Sequence, residues 1–315
     1  MAQIQSIQAL AELHAQEVSR SPRDWMGYLD SAARLYRYSF QDNLLIHAQR
    51  PNATACAELE LWNLKMNRWV NRGAKGIALL DDTGPRLRLR YVFDISDTHP
   101  VKGAREPYLW VMQEANHDAI LSHLANAYGL DESADTLPLA LMAVARQVSV
   151  ENLEDAMEGL SYETRGTFLE ELDEDNLRVE FRTMLEYSIY YTLCRRCGID
   201  PMEELEESDF IPVTDFNRLS ALAFLGNATS SLSEPVLRDI GREMRRMERE
   251  NLAKQLEKSV DSLYTVNGRF SALKRESARE PQTQPTEGGY EHGTDVSSQG
   301  RVSVSEPGRT GGAGA

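Results

Sequence analysis

Apolar residues recur along this chain at two spacings, one of three and four positions and one of two. Ile7, Leu10, Ala11, Leu13 and Val18 fall near one side of an amphipathic helix over Ile4–Val18. Ser21-Pro22 then supplies an N-cap and a proline at the first helical position, with Asp24 in the first turn. Trp25, Tyr28, Leu29, Ala32, Leu35 and Tyr36 follow at three/four spacing and predict a second helix. Asn43–Gln49 is a short apolar stretch closed by Arg50-Pro51, because the residue before a proline resists helix. Glu58–Asn67 predicts a short helix carrying Trp62.

The spacing then drops to two. Arg68-Trp69-Val70 leads to a turn at Asn71–Gly76, a strand at Ile77–Leu80, a turn at Asp81–Pro85 and the stretch Arg86–Asp94. Strands joined by a short turn containing Gly and Pro predict a hairpin. In Arg86–Asp94, alternation places Leu87, Leu89, Tyr91 and Phe93 on one face and Arg86, Arg88, Arg90 and Val92 on the other. The segment 94–107 shows no periodicity and reads as a linker.

From residue 108 the helical spacing returns. His117–Tyr128 stops at Gly129, the expected C′ residue, and Leu139–Val148 and Asn152–Leu160 are shorter helices. Asn176–Arg196 carries Leu177, Phe181, Met184, Leu185, Ser188, Ile189, Thr192 and Leu193 in one stripe and closes at Gly198. Asp200-Pro201-Met202-Glu203 starts another helix, and Phe216–Leu225 and Val236–Lys258 complete an all-α region. Beyond about Lys274 the chain is rich in Gly, Ser, Pro, Thr, Glu and Arg and reads as a disordered tail or linker. The expected fold is α+β: an N-terminal helix (1–20), a small domain with an antiparallel sheet (21–106), an all-α domain (107–273) and the tail (274–315).

Charge sharpens that division. The net charge is −15, yet residues 1–106 hold 14 Lys and Arg against 12 Asp and Glu, while the remainder holds 20 against 37. Two regions so differently balanced are unlike in the partners they attract. No run approaches a membrane span of about 18 apolar residues, and the N-terminus has neither the basic start nor the apolar core of a signal peptide. Three cysteines and no disulfide pattern fit a reducing cytoplasm.

Catalytic signatures are missing from the sequence. It contains no HExxH, P-loop, GxSxG or GxGxxG between strand and helix, so neither an enzyme nor a cofactor is expected. Its six histidines show no ligand spacing, and Cys194-Arg-Arg-Cys197 lacks a second pair to complete a zinc site. The acidic runs Glu170–Asp175 and Glu203–Glu207 fit solvated surfaces.

The first third carries different chemistry. Tyr36, Tyr38, Trp62, Trp69 and Tyr91 lie among Arg34, Arg37, Arg68, Arg72, Lys75, Arg88 and Arg90. Rings that stack on bases, interleaved with cations that follow a phosphate backbone, suit unpaired nucleic acid. The plainer explanation is an arginine-bearing edge kept soluble by charge, with Trp25, Trp62 and Phe93 in the core. Trp62 is expected inside, and Trp69, between Arg68 and the basic turn, outside.

Residues 25–98 also follow a recognisable order. It runs Tyr38-Ser39-Phe40, Asn43-Leu44-Leu45-Ile46, Gln49-Arg50-Pro51-Asn52-Ala53-Thr54, Trp62, Arg68–Leu80 and Val92–Thr98. This order resembles the N-terminal domain of ArdC-type antirestriction proteins and LtrC-like proteins of plasmids and conjugative elements. The same domain begins very large helicase/methylase-like proteins of integrative elements. The resemblance implies a bacterial, non-sequence-specific single-stranded DNA-binding domain acting in antirestriction or conjugative transfer. ArdC-type proteins continue into a metalloprotease-like domain with HExxH; this chain lacks that motif, so peptidase activity is not implied.

The site expected on these grounds is a groove lined by Arg68, Trp69, Arg72, Lys75, Arg86, Arg88 and Arg90. Gly73 and Gly76 would let backbone approach phosphate, while Asn43 and Gln49 orient the basic loop. The acidic helical region leaves a second reading open: a surface that engages a DNA-processing protein, or imitates DNA toward one.

Overall fold

The computed structural model describes the backbone of residues 2–277 and the side chains of residues 3–260. Most of the expected tail, from residue 278 onward, lies outside the described residues. Nine α-helices are present among the described residues: α1 (Ala2–Val18), α2 (Pro22–Arg34), α3 (Phe40–Gln49), α4 (His117–Tyr128), α5 (Leu137–Glu151), α6 (Leu153–Met157), α7 (Leu160–Glu163), α8 (Glu174–Cys197) and α9 (Leu219–Ser277). Five strands lie between α3 and α4: β1 (Cys56–Glu58), β2 (Arg68–Val70), β3 (Ile77–Asp81), β4 (Arg88–Asp94) and β5 (Thr98–Pro100). The fold class is α+β, with small antiparallel sheets in the N-terminal region and helices after them.

Residues up to Gln255 form one compact unit, and a second unit, helical as far as Ser277, begins at Leu256. The change of charge near residue 106 falls inside the first unit. Its main core joins Trp25, Tyr28 and Phe40 to Phe181, Tyr190 and Phe216, so α2 and α3 pack directly with the later helices. The Trp25 indole donates to Ser188 Oγ at 3.0 Å across that contact. A smaller cluster of Leu35, Leu45, Ile46, Ile77, Leu79 and Val92 fixes β3 and β4 against α1 and α3. Helix α3 therefore buries two faces, one in each cluster.

Local signals, most of them read from the sequence, set several helix ends, and the Ser39 cap adds one that was not. Ser21 Oγ accepts from Asp24 N at 3.3 Å above Pro22, and Ser39 Oγ caps α3 in the same way through Asp42 N. Helices α4 and α8 stop at Gly129 (φ 64°) and Gly198 (φ 75°). The hairpin forms, with Ile77 opposite Val92, Leu79 opposite Arg90 and Asp81 opposite Arg88.

Elsewhere the expectations are corrected. The helix expected over Glu58–Asn67 is shorter: Glu58 ends strand β1, which pairs with β4, and only residues 59–65 are helical, closing in a π-helical turn, Leu61–Lys65. That turn still buries Trp62, whose indole donates to Phe93 O at 2.8 Å. The segment 94–107 is not a bare linker, because Thr98–Pro100 pairs with Arg68–Val70. Asp94 makes this turn: its carboxylate accepts from Thr54 N, Ala55 N and Ser96 N. Burial alone would raise its pKa, but these bonds and one from Ser96 Oγ hold it below the usual carboxylate value.

The arginine-bearing face of β4, expected toward solvent, is exposed at Arg88 but buried at its Val92 end. Val92 and Asp94 are buried and Tyr91 is exposed, because Val92 shares its face with Ile77 and Leu79, which pack on the helices. Further along, Asn152–Leu160 breaks into α6 and α7 at Gly159. Asp200–Glu203 gives only a 3₁₀ turn, followed by a second 3₁₀ segment, Glu207–Asp215.

Phe216–Leu225 and Val236–Lys258 are not separate helices; α9 runs through Pro235. A proline inside a helix costs about 3 kcal/mol, yet Leu222, Leu225, Val236, Leu237 and Ile240 stay fully buried on either side of it. That burial holds the two halves in one register. Gly226 makes the approach tight, since a Cβ there would lie 2.0 Å from the Phe40 ring.

Candidate nucleic-acid interface

The residues expected to form a groove divide into three groups. The first is structural. Arg68 is buried, donating from Nε to Thr98 Oγ1 at 3.0 Å and from Nη1 to Glu106 Oε1 at 2.6 Å, which ties β2 to β5 and the chain that follows. Arg90 is held by Asp42 at the start of α3, with Glu58 at 3.8 Å. Asn43 donates to the carbonyls of Leu35 and Tyr38, and Gln49 clamps α3 to β3 by exchanging two 2.9 Å bonds with the Ala78 backbone. These side chains shape the N-terminal region rather than face a ligand.

The second group lies at the β2–β3 loop. Trp69 is 56% exposed opposite His99, whose Nδ1 shares a 2.7 Å hydrogen bond with Asn71 Oδ1. Arg72 and Lys75 are exposed and make no ion pair among the described residues. Gly73 takes φ +87°, and Gly76 lies beneath Tyr91 and Phe93, where a Cβ would come within 3.1 Å of both. The third group, Arg86 and Arg88, is exposed at the other end of the hairpin. Arg88 stands opposite Asp81, four pairs from Ile77, which is about 13 Å along a strand at about 3.3 Å per residue. The structure therefore does not bring Arg86 and Arg88 to the loop bearing Arg72 and Lys75.

A different set of cations does converge. A cleft of about 320 Å³ opens between the α2–α3 turn, β1, the π-helical turn, residues 107–109, the end of α8 and α9. Its charged lining is Arg34, Arg37, Arg196 and Arg245, its rings are Tyr36, Tyr38, Trp62 and Tyr108, and no Asp or Glu lines it. The guanidinium of Arg196 lies 3.6 Å from the Trp110 ring centroid and 5.8 Å from that of Tyr36, with Nη2 donating to Trp110 O at 2.8 Å. Burial lowers the Arg196 pKa, and the strongest opposing influence is Tyr36, not a carboxylate. Arg37 stands 5.6 Å from the Tyr36 ring and Arg245 4.1 Å from that of Tyr108. Arg34 is anchored to the carbonyls of Ala53 and Pro51, and Tyr38 donates to Cys56 O at 2.8 Å.

Arg34, Arg37, Tyr36, Tyr38 and Trp62 belong to the constellation read from the sequence; Tyr108, Arg196 and Arg245 do not. The only local signal for Arg196 is its place between two cysteines, and Arg245 lies in a charged helical run. Burial pushes the Cys197 thiol up to about 12 and the Cys56 thiol likewise up to about 12, so both stay protonated at neutral pH. Cys194 is fully buried and also raised, and the described residues show no group of three or more His, Cys, Asp and Glu that could hold a metal.

Histidines distant in sequence do meet. His14 Nε2 and His47 Nδ1 share a 2.8 Å hydrogen bond between α1 and α3, and His14 Nδ1 reaches Glu17 at 2.7 Å. No helix among the described residues is long and apolar enough to cross a membrane. No protein-family model, no curated protein and no solved structure matches the chain.

Proposed function

We propose that this protein binds single-stranded nucleic acid, with the arginine-and-ring cleft as the principal contact and the Trp69–Lys75 loop as a second. The supporting observation is the cleft's composition: guanidinium groups beside aromatic rings with no lining carboxylate. Such a surface attracts phosphate through charge and unpaired bases through stacking. A cavity of about 320 Å³ excludes a duplex but takes the splayed base of a single strand.

The resemblance of residues 25–98 to the ArdC-type N-terminal domain favours DNA as the nucleic acid, bound without strong sequence preference. It also favours a role in antirestriction or conjugative transfer in a mobile element. On this reading the protein is a binding protein rather than an enzyme.

Fluorescence anisotropy of the full chain with a single-stranded oligothymidylate and a matched duplex tests the proposal. Tighter binding of the single strand, weakening as salt rises, is the expected result. Equal affinity for the duplex, or no binding at low salt, overturns it.

A further inference from the structure

The cleft differs from the other cationic surfaces of the first unit in one respect. At the exposed loop, water solvates Arg72 and Lys75 on all sides. Within the cleft, Arg196 lies over the Trp110 ring and within 5.8 Å of the Tyr36 ring centroid, and Arg37 and Arg245 each stand over a ring at its lip. Of the five N–H donors on the Arg196 guanidinium, one is committed, to Trp110 O. Its neighbours Arg195 and Asp30 neutralise each other at 2.6 Å, so Asp30 is already engaged. Glu248 acts on Tyr108, and Asp30 and Asp94 act on Arg34, but none of them figures among the influences on Arg196.

A guanidinium cannot shed its charge, so a partly desolvated one without a carboxylate stays poorly compensated until an anion arrives. The anion that gains most is the one carrying the most charge on a compact, fork-matching group. Inside a nucleic-acid strand each phosphodiester carries a single charge. A phosphomonoester carries about −1.5 to −2 at neutral pH and presents three acceptor oxygens. The cleft also has room for one nucleotide, at the lower end of the roughly 300–1,000 Å³ typical of small-ligand sites.

From this we infer that the cleft holds the terminal nucleotide of a strand, its phosphomonoester on Arg196, Arg37 and Arg245 and its base against Tyr36, Tyr38 or Tyr108. The inference rests on the nucleic-acid reading and narrows it: the protein recognises a phosphorylated end, while the Trp69 loop holds the strand that leads away. Arg196, the less exposed of the three, grips the phosphate at the inner end, and the exposed Arg37 and Arg245 reach it from the lip.

The test is a competition assay on the full chain. A labelled oligothymidylate is displaced by unlabelled copies bearing a 5′-phosphate, a 3′-phosphate or neither, and by free thymidine monophosphate. One added charged hydrogen bond or more predicts that one phosphorylated end competes about tenfold better than the unphosphorylated copy. That advantage should vanish in Arg196→Met and shrink in Arg37→Ala and Arg245→Ala, whose side chains are exposed and make no ion pair among the described residues. Trp69→Ala should weaken all oligonucleotides alike. Circular dichroism confirms that each variant is folded, and Arg37→Ala carries the test if Arg196→Met is not.

Equal competition by all three oligonucleotides overturns the end-recognition inference and leaves strand binding standing. An advantage that survives in both Arg37→Ala and Arg245→Ala places the phosphate elsewhere and overturns it as well. Displacement by the free mononucleotide as strongly as by the phosphorylated strand makes the cleft a nucleotide site, contradicting the strand's part in it. Failure of any oligonucleotide to bind overturns the parent reading, and this inference with it.

Discussion

Arg68 is buried and Arg196 half-buried, yet these two partly or wholly enclosed guanidinium groups serve the molecule in opposite ways. Arg68 has Glu106 at 2.6 Å and Thr98 at 3.0 Å, and its charge is spent on holding β2, β5 and the chain that follows. Arg196 has two rings and one carbonyl, with no carboxylate in ion-pair distance among the described residues. Arg90 falls with Arg68 through Asp42, and Arg37 and Arg245 fall with Arg196. The position of the nearest acid, rather than the density of arginine, separates cations that build the fold from those left for a ligand.

His47 extends the comparison. It too is half-buried without a carboxylate bonded to it, but an imidazole can release its proton, and burial and then His14 lower its pKa from 6.5 to about 4. Arginine has no such exit, so the need for an anion persists at every physiological pH.

The sharpest way to break the comparison is to remove the free class. Arg37→Ala with Arg245→Ala should reduce affinity for single-stranded DNA about 100-fold, if each contributes a charged hydrogen bond worth about tenfold, and leave the melting temperature unchanged. Arg68→Ala should do the reverse. Losing its bonds to Thr98 and Glu106 costs about 1–3 kcal/mol in denaturant unfolding, with oligonucleotide affinity of the folded protein unchanged. If Arg68→Ala weakened binding at unchanged stability, the division would fail.

Acid supplies a third way, because it creates a buried cation on demand. The hydrogen-bonded pair of His14 and His47 links α1 to α3, with Glu17, Asp30, Arg34 and Tyr28 as its charged and polar neighbours. His47 has a folded pKa below its unfolded one, so its contribution to stability is complete above pH 6.5. That contribution is lost as pH falls toward about 4. His47→Gln should flatten the stability profile over that window, measured by urea unfolding at several pH values. The smallest effect is expected from Arg86→Ala with Arg88→Ala, less than about threefold in affinity, because Asp81 already stands opposite Arg88.

Much of the fold was legible because its signals are local. The Ser21-Pro22 cap, the stop at Gly198 and the β3–β4 hairpin each depend on residues within a few positions of one another. Where long-range packing decides, the local reading fails. Alternation in Arg86–Asp94 is real, but only the pairing of Val92 with Ile77 shows which face is inside. Pro235 looks like a helix break until the buried residues on both sides of it are seen in one register.

The candidate site divides in the same way. Arg34, Tyr36, Arg37 and Tyr38 stand out in sequence as rings among cations, but nothing local links them to Arg196 or Arg245, which tertiary contacts bring to the same cleft. Nor does the sequence say that Glu106 and Asp42 will claim Arg68 and Arg90.

The salt dependence of single-strand affinity in the Arg37→Ala, Arg245→Ala double variant tests most directly whether the cleft's unpaired guanidinium groups hold phosphate. Each phosphate contact contributes a slope of about −0.7 in log affinity against log salt, so losing two should make the slope shallower by roughly 1.4. The account predicts that change together with the loss of affinity. An unchanged slope and affinity in the folded double variant would contradict it.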